Sequence, residues 1–275
     1  MPCRHKDEPA MKTSLIVSLL TVCSVLLPQS LAFAEDSPPP TPNFVKDGKL
    51  DIDAAIQYFD DLYRSESSTG EVEMTVTRPR RTQTMRMKIW TEGAKKSLVV
   101  IQSPPREQGT ATLKVDNNLW NYMPRIKRTV RIPPSMMLAS WMGSDFTNDD
   151  LVRESSMLED YTYETAGKSE SPAGWLIRCT AKPEVVGLWN RIDLIVSEDG
   201  TLPLQAMYYD RKDRLSRNLY WSDVKVLGGR KLPAMMKLVP EGEAGHETIM
   251  QYHDITFDVT LPADTFSLSR LEQTH

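Results

Sequence analysis

The sequence predicts a mainly β protein, an antiparallel barrel or curved sheet that carries a helical lid. Three observations predict it. Apolar and polar residues alternate in two early segments: Val72, Met74 and Val76 against Glu71, Glu73, Thr75 and Thr77, then Met85, Met87 and Ile89 against Thr84, Arg86 and Lys88. Period two places one set of side chains on each face of a strand. Further short segments of strand composition follow at regular spacing, divided by turn residues such as Asp116-Asn117-Asn118, Glu198-Asp199-Gly200, Arg211-Lys212-Asp213 and Gly228-Gly229. Only two stretches carry a helical period, which leaves no room for repeating βαβ units.

The first element is a leader. Met11-Lys12 precedes the apolar run Leu15–Leu27, and Ala32-Phe33-Ala34 places small residues ahead of Glu35. A basic start, a short apolar run and an A-x-A site describe a secretory signal peptide over residues 1–34, with Met11 as an alternative start. The run is short and broken by Pro28, so it makes a poor membrane span. Val22 is a poor residue before Cys23, so no lipid anchor is expected there. The expectation is an exported, periplasmic protein. Residues 35–49, which include Ser37-Pro38-Pro39-Pro40, read as a Pro-rich spacer. Residues 50–270 are expected to form a single domain, and about 240 residues suffice for one sizeable core.

Without residues 1–34 the chain keeps 30 basic and 35 acidic side chains. A mildly acidic chain is a poor partner for nucleic acid. Of three cysteines only Cys179 remains, so no intrachain disulfide can form. Its setting, Trp175–Ala181, reads as a strand with an inert buried thiol.

Asp51–Tyr63 is the first helical segment. Ile52, Ala55, Ile56, Phe59 and Leu62-Tyr63 recur at helical spacing behind Asp51 or Asp53 as N-cap. After the two alternating strands and their Arg78-Pro79-Arg80-Arg81 tip, strands are expected at Ser97–Gln102, Ala111–Val115, Ile126–Ile132, Tyr161–Thr165, Trp175–Ala181, Arg191–Ser197, Leu204–Asp210, Ser216–Trp221, Lys231–Leu238 and Thr248–Phe257. A second helix is expected around Asn148–Leu158, capped by Thr147 or Asn148.

Asn118–Leu151 is the most informative stretch. Leu119, Trp120, Tyr122 and Met123 make an apolar-aromatic strand, and Arg125, Lys127, Arg128 and Arg131 charge the next one. Pro133-Pro134 cannot continue a ladder, because neither proline has an N–H. Met136, Met137, Leu138, Trp141 and Met142 are then too apolar for an ordinary exposed loop. Flexible thioethers beside an aromatic suit a surface that re-packs around variable apolar partners. A buried crossover in a β-protein core is the alternative.

Catalytic constellations are missing from the sequence. Past the expected leader the histidines are His246, His253 and the terminal His275, and no H-x-x-x-H or paired cysteine offers convergent metal ligands. Gly143-Ser144-Asp145 lacks the second glycine of a nucleophile elbow. No glycine-rich phosphate loop occurs. The acidic pairs Asp60-Asp61 and Asp149-Asp150 read as solvated helix faces. A binding protein without cofactor or metal is expected, and not an enzyme; a hydrolase of unrecognised type is the remote alternative.

The order of helix, Met-rich strands, Trp120-Asn121-Tyr122-Met123-Pro124, basic strand, Ile132-Pro133-Pro134, and Gly143-Ser144-Asp145-Phe146 before Asp149-Asp150-Leu151 resembles the LolA-like family of exported outer-membrane lipoprotein-sorting proteins. The resemblance covers roughly Leu50 to Leu268, and within the family it is closest to the exporter-associated branch. It implies an incomplete antiparallel β-barrel, LolA/LolB-like, whose apolar face is covered by a helical lid. It also implies lipid or lipoprotein acyl chains as cargo, and an inner-membrane transporter of RND or ABC type as partner of a monomer. On that fold Met74, Val76, Met85, Met87, Ile89, Leu98, Val100, Trp120 and Tyr122 are expected to line the cavity. Met136, Met137, Leu138, Trp141 and Met142 are expected to form the lid. Each buried CH₂ contributes ~0.8 kcal/mol, so an acyl chain of about sixteen carbons resists leaving a bilayer by roughly 12 kcal/mol. A carrier must shield most of that chain. Two alternatives stand beside it: the methionine stripe as plain core, and a module that docks on an exporter or sensor without lipid.

Overall fold

The computed structural model describes residues 42–153, 157–185 and 189–273. The described residues belong to one compact unit. The expected leader falls outside the described residues.

A two-residue hairpin comes first, β1 (Val45–Lys46) and β2 (Lys49–Leu50). The Phe44 N–H donates to the Asp199 carbonyl at 3.0 Å, so the fold takes up residues of the expected spacer. Helix α1 (Ile52–Asp61) starts where Asp51 Oδ1 accepts the Ala54 N–H at 3.1 Å, which satisfies one of the orphan donors of the first turn. Strands β3 (Ser67–Arg78), β4 (Arg81–Glu92), β5 (Lys96–Ser103), β6 (Ala111–Val115), β7 (Asn118–Met123) and β8 (Arg128–Arg131) follow. A crossing segment then leads to helices α2 (Asn148–Arg153) and α3 (Met157–Asp160). Strands β9 (Tyr161–Glu170), β10 (Ala173–Ala181), β11 (Arg191–Val196), β12 (Pro203–Tyr209), β13 (Leu215–Leu227), β14 (Arg230–Pro240) and β15 (Glu247–Phe257) complete the sheet, and α4 (Leu268–Glu272) follows.

Thirteen strands form one antiparallel sheet in the order β8-β7-β6-β5-β4-β3-β15-β14-β13-β12-β11-β10-β9. Each strand pairs with its chain neighbour except at the centre, where β15 returns to pair with β3 and joins the two halves. The sheet is curved and does not close, so β8 and β9 remain as edges. This is the mainly β, incomplete barrel that the alternating segments and the resemblance led us to expect.

Boundaries differ most in four places, the first being the strand expected at Tyr161–Thr165, which runs on to Glu170. The strand expected at Ile126–Ile132 begins only at Arg128, because Pro124–Ile126 forms a 3-10 turn that ends on Lys127 with a left-handed φ of 50°. The strand expected to stop at Trp221 runs on to Leu227. The second helix, expected as one piece over Asn148–Leu158, is described as α2 and α3.

Candidate functional site

The strand registers assign every side chain to one of two faces. Met74 pairs with Met85 and Val72 with Met87 between β3 and β4; Met87 pairs with Ile101 and Ile89 with Val99 between β4 and β5. On the other side Met250 pairs with Met74, and the same face continues through Met236, Leu238, Leu219, Ala206, Leu194 and Ile177 to Cys179. One apolar inner face therefore runs across the sheet. Helix α1 covers its β9–β14 half, with Ala55 and Ile56 buried against Ile177, Leu194 and Leu238. The crossing segment after β8 covers the β3–β5 half.

Met74, Val76, Met85 and Met87 are buried together with Val72, Val99 and Ile101, and Ile89 packs against them. Their common side follows from period two. Leu98, Val100, Trp120 and Tyr122 do not join them. Val99 and Ile101 face inward, so Leu98 and Val100 point to the outer face, where Leu98 and Tyr122 are buried with Leu113 under Leu271 of α4 and Val100 and Trp120 pack against them. The expected single lining is thus two clusters on opposite faces. Alternation within one strand forbids Leu98 from sharing a face with Val99, and it is Val99 that lies opposite Ile89.

The expected lid also divides. Trp141 is 2% exposed and sits among the inner-face methionines and valines, with Met142 packed beside it. Met136 and Leu138 are 50% and 57% exposed, and Met137 is intermediate. The Trp141 Nε1–H donates to Thr112 Oγ1 at 3.1 Å, and that hydroxyl donates on to Asn121 Oδ1 at 2.8 Å. A tight loop presents the indole. Trp141 N–H donates to the Phe146 carbonyl at 2.7 Å and Asn148 N–H to the Ala139 carbonyl at 3.0 Å. Met142 and Gly143 turn the chain with φ of 52° and 75°.

Polar latches hold this loop down. Asp145 accepts Thr248 Oγ1–H at 2.7 Å and Arg78 Nη1–H at 3.0 Å, and Arg78 Nη2 donates to the Gly143 carbonyl at 2.9 Å. Arg217, buried on β13, grips Asp150 of α2 with two parallel bonds of 2.7 and 2.6 Å. Its guanidinium lies 4.4 Å from the ring centroids of both Trp189 and Tyr208. Thr147 and Asp150 form a capping box: Asp150 N–H donates to Thr147 Oγ1 at 3.2 Å, and Thr147 N–H donates back to Asp150 Oδ2 at 2.7 Å. Burial pulls the Asp150 pKa up, but the Arg217 charge and the bonds from Arg217 and Thr147 outweigh it and hold it below the usual carboxylate range. Asp149 and Asp150 were expected on a solvated helix face; the structure buries Asp149 and pairs Asp150. The pattern Thr147-x-x-Asp150 was the available signal for the cap. Nothing local marked Arg217 as its partner.

The inner face is filled rather than open. A hollow of about 120 Å³ lies on the opposite face among Glu71, Arg86, Gln102 and His253, behind Val72 and Met87. A shallower one of about 640 Å³ sits at the β14–β15 turn, beside Lys237, His246 and Glu247. Pockets that enclose small ligands measure roughly 300–1,000 Å³ and are mostly apolar. The first hollow is too small, and the second is rimmed by a charged turn. Trp141 fills the apolar space among Val72, Met74, Met85 and Met87. Cys179 is buried on the inner face, and burial pushes its thiol up to about 12, so it is inert.

An open, curved antiparallel sheet with few helices is the LolA-like class of fold. A family model described only as an uncharacterized protein matches residues 93–273, about two thirds of the chain. A DUF1329 family protein from Desulfovibrio piger shares 26% identity at a TM-score of 0.72, over 80% of this chain and 96% of that one. An outer membrane lipoprotein-sorting protein domain from Vibrio parahaemolyticus shares 19% at 0.68, over 80% and 97%. A LolA superfamily protein from Nitrosomonas europaea shares 19% at 0.66, over 79% and 98%. No curated protein matches the chain. The chain belongs to the family of that model, DUF1329, and it shares the fold of the LolA superfamily proteins.

Proposed function

We propose that this protein is a periplasmic carrier that holds lipid or lipoprotein acyl chains on the inner face of its open sheet, once the lid bearing Trp141 has swung off. One observation carries the reading: a lid indole fills a pocket of methionines and β-branched residues, and polar latches seat the loop that presents it. Burial of the indole contributes about 3 kcal/mol, and charge-assisted bonds about 1.5–3 kcal/mol each. Displacing the lid therefore costs on the order of 10 kcal/mol, against roughly 12 kcal/mol for sheltering an acyl chain. The exchange is close to balanced, as a carrier that must also release its cargo requires. Methionines re-shape without rigid demands, which suits chains of differing length. An inner-membrane transporter of RND or ABC type is the proposed donor.

The test is purification from the periplasm without detergent, followed by mass spectrometry of extracted lipid. Stoichiometric acyl lipid supports the carrier. An empty protein that also fails to take up a fluorescent fatty acid refutes it. The filled inner face favours a second reading, a module that docks on an exporter without cargo, and that empty result is its expected signature.

A further inference from the structure

The free edge of the sheet beside the lid has an unusual surface. Strand β8 is the edge strand, and the stretch from Arg125 to Leu138 holds Arg125, Lys127, Arg128 and Arg131 with no acidic residue, in a chain whose net charge is −4. All four cations are exposed, and none forms an ion pair among the described residues. Ile126, at 62% exposed, stands between the first two on the 3-10 turn, and Met136 and Leu138 follow past the prolines. Seven large apolar side chains are exposed among the described residues, and three of them fall within this stretch.

Charges on an edge strand commonly serve to block edge-to-edge pairing. That role needs only the cations. It does not explain why the most exposed large apolar side chain of the described residues stands between two of them, with two more beyond the strand. Cations interleaved with outward apolar side chains match a different surface. Anionic headgroups attract the guanidinium and ammonium groups, and the apolar side chains enter the acyl boundary beneath. Arg128 and Arg131 lie three residues apart on a strand and so point to opposite faces, which places charge on both sides of one edge. Long cationic side chains on both faces can reach the headgroups when the sheet stands edge-on. We infer that the β8 edge, from Arg125 to Leu138, is a docking surface for an anionic phospholipid membrane. The inference does not depend on whether the inner face carries lipid.

The test is co-sedimentation of the purified protein with vesicles of phosphatidylcholine, with and without phosphatidylglycerol. Binding is expected only to the anionic vesicles and is expected to weaken as salt is raised. Neutralising Arg125, Lys127 and Arg128 together by glutamine should lower the partition roughly a hundred-fold, about five-fold for each cation. Replacing Met136 and Leu138 by serine should also lower it; both are exposed, so the fold is retained. The same three-fold neutralisation at Lys46, Lys49 and Lys231 is the control and should change little. Equal binding to both vesicle types, no binding to either, or an equal loss in the control variant would overturn the inference. So would a salt-independent association between copies of the chain through this edge.

Discussion

Replacing Trp141 by alanine separates a lid from a committed core element. The indole is 2% exposed and surrounded by Val72, Met74, Met85, Met87 and Ile101, so its removal loses burial and leaves a void. Large-to-small changes of this kind cost about 3–5 kcal/mol. The lost bond to Thr112 adds about 1 kcal/mol, but Thr112 keeps Asn121 as a partner, so no donor is stranded. The void is lined by methionine and branched aliphatics, and such a void stays dry and admits apolar ligands. Urea unfolding should therefore show a loss of about 4–6 kcal/mol from these two contributions if the lid unfolds with the sheet. If the lid opens alone, the loss appears instead as faster amide exchange from Met137 to Asp150 while β3 and β4 keep their protection. In either case a fluorescent fatty acid should bind more tightly to Trp141→Ala than to the parent, because the competitor for the pocket is gone. A variant that is destabilised by the expected amount and yet binds the probe no better than the parent would refute the reasoning. The pocket would then be core that collapses when its tryptophan is removed.

The remaining predictions concern the latch, the pocket floor and the thiol. Arg217→Met leaves Asp150 buried without its cation and should cost about 3–5 kcal/mol; an Asp150→Asn, Arg217→Met double variant should recover part of that, measured by a double-mutant cycle. Because the folded Asp150 pKa is depressed, its contribution is complete above the unfolded value of about 3.9 and is lost as pH falls through the folded value. Lid exchange should therefore accelerate in acid, below about pH 4, and Asp150→Asn should flatten that dependence. Met87→Asp should destabilise the fold more than Met87→Gln, since both bury a polar group but only the first buries a charge, and Met87→Gln should weaken probe uptake; full uptake by the glutamine variant would place the cargo elsewhere. The Cys179 thiol, held near 12 by burial, should ignore a thiol reagent at pH 8 until the protein is unfolded, and prompt labelling of the native protein would contradict its burial. Folding favours the neutral thiol, so that contribution is present below its ordinary pKa and fades as pH rises through the folded value.

Much of the architecture was written locally. Alternation at Val72–Val76 and Met85–Ile89 determined two strands and which side chains share a face, because a strand leaves no other choice. Asp51 and the apolar period behind it determined α1, and Pro133-Pro134 determined that β8 stops short of the lid. Only the tertiary structure decided which of two legible faces lies inward. Leu98 and Val99 are both apolar, so composition cannot rank them, and pairing with β4 turned Val99 toward the methionines and Leu98 toward α4. The same holds for the lid. Five apolar residues announced a covering segment, but the loop's own hydrogen bonds sent Trp141 down and left Met136 and Leu138 in solvent. The latch was the least legible feature, because Arg217 stands 67 residues from Asp150. An arginine and an aspartate that far apart carry no local signal; their meeting exists only once β13 has been laid into the sheet and α2 folded over it.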